Sequence, residues 1–237
     1  EGPKTLKAAY KVFHELVERL NKNNHDTKLD NYTKKLNFLK ESIRHRPRFK
    51  VKDIEQLQDK WLVEPSIGEE NSVGALYTMF AHFDPSDSEY AHLWLRPRTF
   101  SAMGIDSIAV SIEESYFTPK VHKALEYKYA FSSRDEFNHP LILTKQIICW
   151  EIPIGEEYDN VEDSYSYFGK VSYTEEFNEI GYEIINLQSQ EGDTNKGKVV
   201  VISLKALLDK TFDCEFVTPP PPKKTNSKTQ SGSKKSK

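Results

Sequence analysis

Residue types that could do chemistry are few in this chain and widely scattered. His82-x-Asp84, followed at a distance by His92 and His139, is the one grouping with the look of a metal site. Two imidazoles and a carboxylate form the facial triad that holds iron(II) in oxygenases, and such triads sit on β-rich scaffolds. The plainer reading is a histidine at the end of an element, followed by an Asp-Pro turn. Asp159, Glu162 and Asp163, close to Glu156 and Glu157, offer oxygen ligands for calcium, but the ligand order and turn glycine of an EF-hand are missing. Glu113 and Glu114 are adjacent, so on a strand they point to opposite faces and cannot pair as acid and base. No G-x-S-x-G, H-E-x-x-H or P-loop occurs. The sequence therefore assigns no catalytic residue, no metal ligand and no cofactor, and it leans away from an enzyme.

Binding chemistry is better represented. Arg44-His45-Arg46-Pro47-Arg48-Phe49-Lys50 is a dense basic run. Guanidinium groups clamp phosphate bidentately, which makes Arg44, Arg46, Arg48 and Lys50 candidate nucleic-acid or phosphate contacts. The structural alternative is that cations gather at a helix C-terminus, where they meet the dipole. Trp94 with Arg96 and Arg98 has the composition of an interface anchor, unless the indole is core. Tyr158, Asp159, Glu162, Asp163 and Tyr165 mix carboxylates with tyrosines. That mixture suits a basic or peptide partner through ion pairs and cation–π contacts, unless the tyrosines are inward positions of a strand. Lys223 and Lys224 open a lysine-bearing tail that reads as a polyanion-binding or nuclear-import arm, or as a linker.

Charge adds a pattern that the total hides. The 237 residues carry a net charge of -3, but residues 1–50 carry +7, residues 51–218 carry -16 and residues 219–237 carry +6. Such segregation speaks about partners rather than fold. Aromatic residues at 12% are too many for a disordered chain, and no apolar run reaches the length of about 18 residues that a membrane span needs. Two isolated cysteines, Cys149 and Cys214, read as reduced core thiols and point to an intracellular, reducing setting. The chain opens on Glu1 rather than Met, which predicts an excised or processed fragment.

The elements that must position these groups follow from periodicity. Leu6, Tyr10, Phe13, Leu16, Val17 and Leu20 form one apolar stripe at helical spacing, and Leu29, Tyr32, Leu36, Leu39 and Ile43 form a second. Asn23-Asn24-His25-Asp26 between them predicts a turn, and Pro47 stops the second helix. A short helix is expected over 53–61. From Val73 onward the pattern predicts strands, with Val73–Phe80 and Ala91–Leu95 as a hairpin. Leu125, Tyr127, Tyr129 and Phe131 alternate with Glu126, Lys128 and Ala130, the mark of a half-buried strand. Further strands are expected near 108–112, 141–154, 165–173, 182–187 and 198–204, and Ala206-Leu207-Leu208 suggests a closing helix.

The expected fold is α+β. An N-terminal helical hairpin and short helix (residues 1–62) precede an antiparallel β-sandwich or barrel (residues 63–218), and a disordered, Pro- and Lys-rich basic tail follows (residues 219–237). The expected function is a non-enzymatic interaction module or assembly subunit, nuclear or chromatin-associated. Its acidic body would face a basic protein or peptide, and its basic ends would contact nucleic acid. The alternatives are direct nucleic-acid binding through residues 44–50 and the tail, and a metal-dependent, iron-oxygenase-like enzyme. No membrane partner is expected.

Overall fold

The computed structural model describes residues 2–83, 85–101, 104–114, 121–131, 137–152, 160–177, 179–189, 194–195 and 197–220. The α+β class expected from the sequence is what the chain adopts. In chain order the elements are α1 (Gly2–His45), β1 (Arg48–Val51), β2 (Leu62–Val63), α2 (Glu70–Phe80), β3 (Leu95–Phe100), β4 (Ser107–Ser111), β5 (Lys123–Ala130) and β6 (Gln146–Glu151). There follow β7 (Asn160–Glu162), β8 (Tyr167–Ser172), β9 (Gly181–Ser189), β10 (Thr194–Asn195), β11 (Val199–Ser203), α3 (Leu204–Phe212) and β12 (Cys214–Val217). Residues Arg48–Val217 make one compact unit, and α1 belongs to another.

The N-terminal unit differs in detail from the expected hairpin. Its backbone is a single 44-residue helix that runs through positions 23–26. Those positions hold Asn, Asn, His and Asp, which are middling helix formers with neither Gly nor Pro to break the chain. Each residue advances about 100° around the axis, so in one continuous helix the two apolar stripes face directions about 100° apart. Tyr10, Phe13, Leu16, Leu20, Leu29, Tyr32, Leu36 and Leu39 are all between 47% and 69% exposed.

The second unit is built on a nine-stranded sheet in the order β3-β4-β5-β6-β11-β9-β8-β7, with β10 added on β9. The sheet is mixed rather than wholly antiparallel. β6 runs parallel to both β5 and β11, while the flanking pairs are antiparallel. A small antiparallel sheet, β12-β1-β2, completes the unit. Central parallel strands are buried on both faces, which explains the unbroken apolar runs Ile147-Ile148-Cys149-Trp150 and Val199-Val200-Val201-Ile202.

Alternate residues of those runs feed two cores. Ile148, Trp150, Val200 and Ile202 join the core beneath α2 and α3, together with Phe49, Tyr77, Phe80, Trp94 and Phe212. Ile147, Cys149, Val199 and Val201 join a second core with Phe137, Leu141, Val161, Val171, Tyr182 and Ile184. Both cysteines are buried thiols that form no disulfide.

Three expected elements come out differently. Val73–Phe80 is the body of α2, not a strand. Val73, Tyr77 and Phe80 are buried along one helical face, and Gly74 lies so close that a Cβ there would come within 2.8 Å of the Tyr127 ring. A short apolar run does not by itself separate buried helix from buried strand. Ala91–Leu93 is a 3₁₀ turn that leads into β3. Residues 53–61 hold turns rather than a helix, although Ile54 and Leu57 are buried as an apolar stripe requires. Among the described residues, no helix is long and apolar enough to cross a membrane.

Candidate functional site

The sequence-derived candidates fall in separate places. β3 and β7 are the two outer strands of the large sheet, so Trp94, Arg96 and Arg98 lie at one edge and Glu162, Asp163 and Tyr165 at the other. Trp94 is fully buried and stacks on Tyr77 with ring centroids 5.2 Å apart, a core role. Asp163 is also buried. Its Oδ2 accepts the Leu141 amide at 2.6 Å and its Oδ1 accepts those of Tyr165 and Tyr167 at 2.8 and 2.9 Å. That carboxylate therefore pins the 137–143 segment to the β7–β8 turn. Tyr165 and Glu162 are exposed. Arg44 pairs with Glu41 at 3.0 Å on α1, and Arg46 follows that helix. Arg48 and Lys50 share one face of β1, with the Lys50 ammonium 5.6 Å from the Trp61 ring centre. Tyr158, Asp159, Lys223 and Lys224 lie outside the described residues, as does Asp84.

The histidines of the expected metal grouping have different neighbours. His82 Nδ1 is 2.7 Å from the Thr78 carbonyl, His92 Nε2 is 2.7 Å from Glu176, and His139 lies beside Glu126. Among the described residues, no three His, Cys, Asp or Glu side chains are placed to hold a metal on their own.

The chemically unusual place is one that sequence reasoning passed over. Alternation along β5 put Glu126 on a solvent face, yet its side chain is 0% exposed. The second core covers that face, and Glu126 pairs in register with Ile147 of that core. Neither of its buried carboxylate oxygens has a hydrogen-bond partner of good geometry. Such a group is costly to leave in place, since a buried polar atom without a partner forfeits its hydration.

Charged neighbours surround it. Asp106 ends the turn before β4, reached through Gly104 at φ +75°, a left-handed conformation that favours glycine. Its Oδ2 accepts the Tyr127 amide at 2.8 Å, which holds that carboxylate against β5. His139 Nδ1 is 3.7 Å from Glu126 Oε1, and the imidazole sits edge-on to Phe137 at 6.0 Å. Lys128, two residues along β5 and so on the same sheet face as Glu126, reaches Glu70 at the start of α2 at 3.5 Å. Burial first, and then the negative charge of Asp106, push the Glu126 carboxyl up to about 8, against a smaller opposing pull from Lys128.

Glu126 and Asp106 thus interact as neighbouring carboxylates, and neither oxygen of the buried Glu126 has a well-formed donor. Magnesium-like ions take oxygen ligands, and they commonly use one or two carboxylates and complete their shell with water and substrate phosphate. Asp106 and Glu126 supply such a pair of carboxylates, with His139 3.7 Å from Glu126. The only sequence signal was the pair of charges, Glu126 and Lys128, inside an otherwise apolar and aromatic strand. No family model matches this chain, and no curated protein or solved structure matches it either.

The raised Glu126 carboxyl sets the sign of a pH effect. Between its ordinary value of 4.5 and about 8 the folded chain holds a proton that the unfolded chain has lost. The contribution of this group to stability therefore falls as pH rises through that window. Glu126→Gln mimics the protonated form and removes the effect. Denaturant unfolding without divalent ions is expected to show the variant gaining on the parent by on the order of 2–4 kcal/mol between about pH 5 and pH 8.5. Parallel curves would show that Glu126 is ionised at ordinary cost.

Proposed function

We propose that the chain is a divalent-cation-dependent hydrolase of phosphate esters, with nucleic acid as the substrate class and Asp106 and Glu126 as the cation ligands. One observation carries this reading: Glu126 is fully buried beside a second carboxylate, Asp106, whose negative charge adds to the cost of its ionisation. A divalent cation bound there would neutralise the pair, polarise a phosphoryl oxygen and lower the pKa of a bound water. The chain's own groups supply the remainder. The Lys128 ammonium, on leaving Glu70, would stabilise charge growing on the phosphoryl oxygens. His139, 3.7 Å from Glu126, would take the proton of the attacking water. Water oxygen bonds to phosphorus, the bond from phosphorus to the leaving oxygen breaks, and a proton ends on that oxygen. The basic segments 1–50 and 219–237, at +7 and +6, support a polyanionic substrate.

The test is hydrolysis of a fluorescent single-stranded oligonucleotide by the full chain with magnesium or manganese. Asp106→Asn and Glu126→Gln are each expected to lower the rate at least about 100-fold, an order typical of removing an electrostatic or acid–base group. Turnover that survives chelation, or that both variants retain, would refute the proposal.

A second reading, an assembly subunit, rests on a different observation: the exposed apolar residues of α1. A stable helix normally buries such a stripe. The nuclear, chromatin-facing setting suggested by the charge pattern belongs to this reading. Size-exclusion chromatography with light scattering is expected to show association of the full chain that Phe13→Lys with Leu36→Lys abolishes. A monomer at all concentrations tested would count against it.

A further inference from the structure

Three neighbouring parallel strands of the large sheet begin at one edge, and each is entered through a lysine. Lys123 opens β5, Lys145 immediately precedes β6 and Lys198 immediately precedes β11. In the register, Leu125, Gln146 and Val200 lie side by side. Strands are spaced about 4.8 Å apart, so the three lysines span only about 10 Å of the edge.

They line a cavity of about 150 Å³, floored by apolar side chains that include Phe177. A water's share of liquid volume is about 30 Å³, so the space is that of a small polyatomic ion with some hydration.

The charges around it are unevenly matched. Lys198 is paired with Glu183. His92, on the rim, is paired with Glu176 at 2.7 Å. Lys123 and Lys145 have no carboxylate partner among the described residues. Burial, and then the like charges of Lys198 and Lys123, push the Lys145 ammonium below its ordinary range. Two unpaired ammonium groups that repel each other across a small cavity are stabilised by an anion that touches both.

We infer that this edge pocket binds a phosphate group, with Lys123 and Lys145 as its principal donors and Lys198 as a third. It lies on the sheet face opposite Glu126, because Lys123 shares its side of β5 with Leu125 and Tyr127. It does not rest on the hydrolase reading. The shared ligand chemistry is a tetrahedral phosphate dianion, either free or at the end of a nucleic-acid strand.

The experiment is calorimetric titration of the full chain at fixed ionic strength with three probes. These are inorganic phosphate, a short 5′-phosphorylated oligonucleotide and the same oligonucleotide with a 5′-hydroxyl. Saturable phosphate binding is expected, weakened about tenfold or more by Lys145→Gln and by Lys123→Gln and unchanged by Lys170→Gln at an exposed position of β8. A 5′-phosphorylated strand that binds more tightly than phosphate, and loses that advantage in Lys145→Gln, identifies a strand end. Equal binding of that strand and free phosphate identifies the ion itself. Lys145→Gln is also expected to be at least as stable as the parent in phosphate-free buffer, since it removes a repulsion. Phosphate heats no larger than those of chloride, or affinity equal in all three variants and the parent, would overturn the inference.

Discussion

Burial of β5, β6 and β11 on both faces is the constraint from which the rest of the second unit follows. Parallel strands cannot be joined by tight turns, so long connections must leave the sheet and return over its faces. One face is closed by α2, α3 and the small β12-β1-β2 sheet, whose Phe49 and Phe216 stack at 5.7 Å. The other face is closed by the 137–143 segment and by side chains of β7, β8 and β9. Single polar groups lock these covers in place. Glu64 accepts both the Trp150 indole and the Lys205 ammonium at 2.9 Å, tying the chain after β2 to β6 and α3. Ser203 caps α3 through the Ala206 amide while donating to the Trp150 carbonyl.

The candidate site is a consequence of that arrangement. A carboxylate at position 126 would be ordinary on a strand with one wet face. Here the second core takes the solvent away, Asp106 is held beside it by the Tyr127 amide, and Asp163 anchors the segment that carries His139. Burial and like charge then act together on Glu126, and only a proton or a cation relieves them. Perturbed carboxylates also occur in purely structural networks. What distinguishes Glu126 is that neither oxygen has a well-formed donor, where structural Asp163 has three amide donors. Buried Cys214 offers a contrast: burial holds its thiol up near about 12, far from a reactive thiolate.

Much of the frame was legible in the amino-acid sequence. The apolar runs at 147–150 and 199–202 marked strands, the stripe of α1 was plain, and Leu207-Leu208 announced α3. The errors share a physical cause, which is that local pattern does not say what lies above a residue. Val73–Phe80 has the composition of a buried strand and of a buried helix face alike. As a helix it brings Gly74 against Tyr127, a residue more than fifty positions away. Alternation at 125–131 correctly indicated two unlike faces of β5, but not that Phe137, Leu141, Val161, Val171 and Ile184 would form a core over the charged one. The binding candidates chosen for their composition, Trp94 and Asp163 above all, were those whose partners turned out to be inside the fold. Segment charge marked the basic ends but gave no hint of the paired carboxylates within the acidic body.

Calorimetry of manganese binding to the full chain, run near pH 7 in buffers of different ionisation heat, counts the protons displaced when a cation takes its place between Asp106 and Glu126. Release of about one proton per cation is expected from the parent chain, and close to none from Glu126→Gln, because a carboxyl held near 8 must ionise to become a ligand. Manganese binding without proton release, or with equal release from the variant, would contradict the assignment of Glu126 as the group that receives the cation.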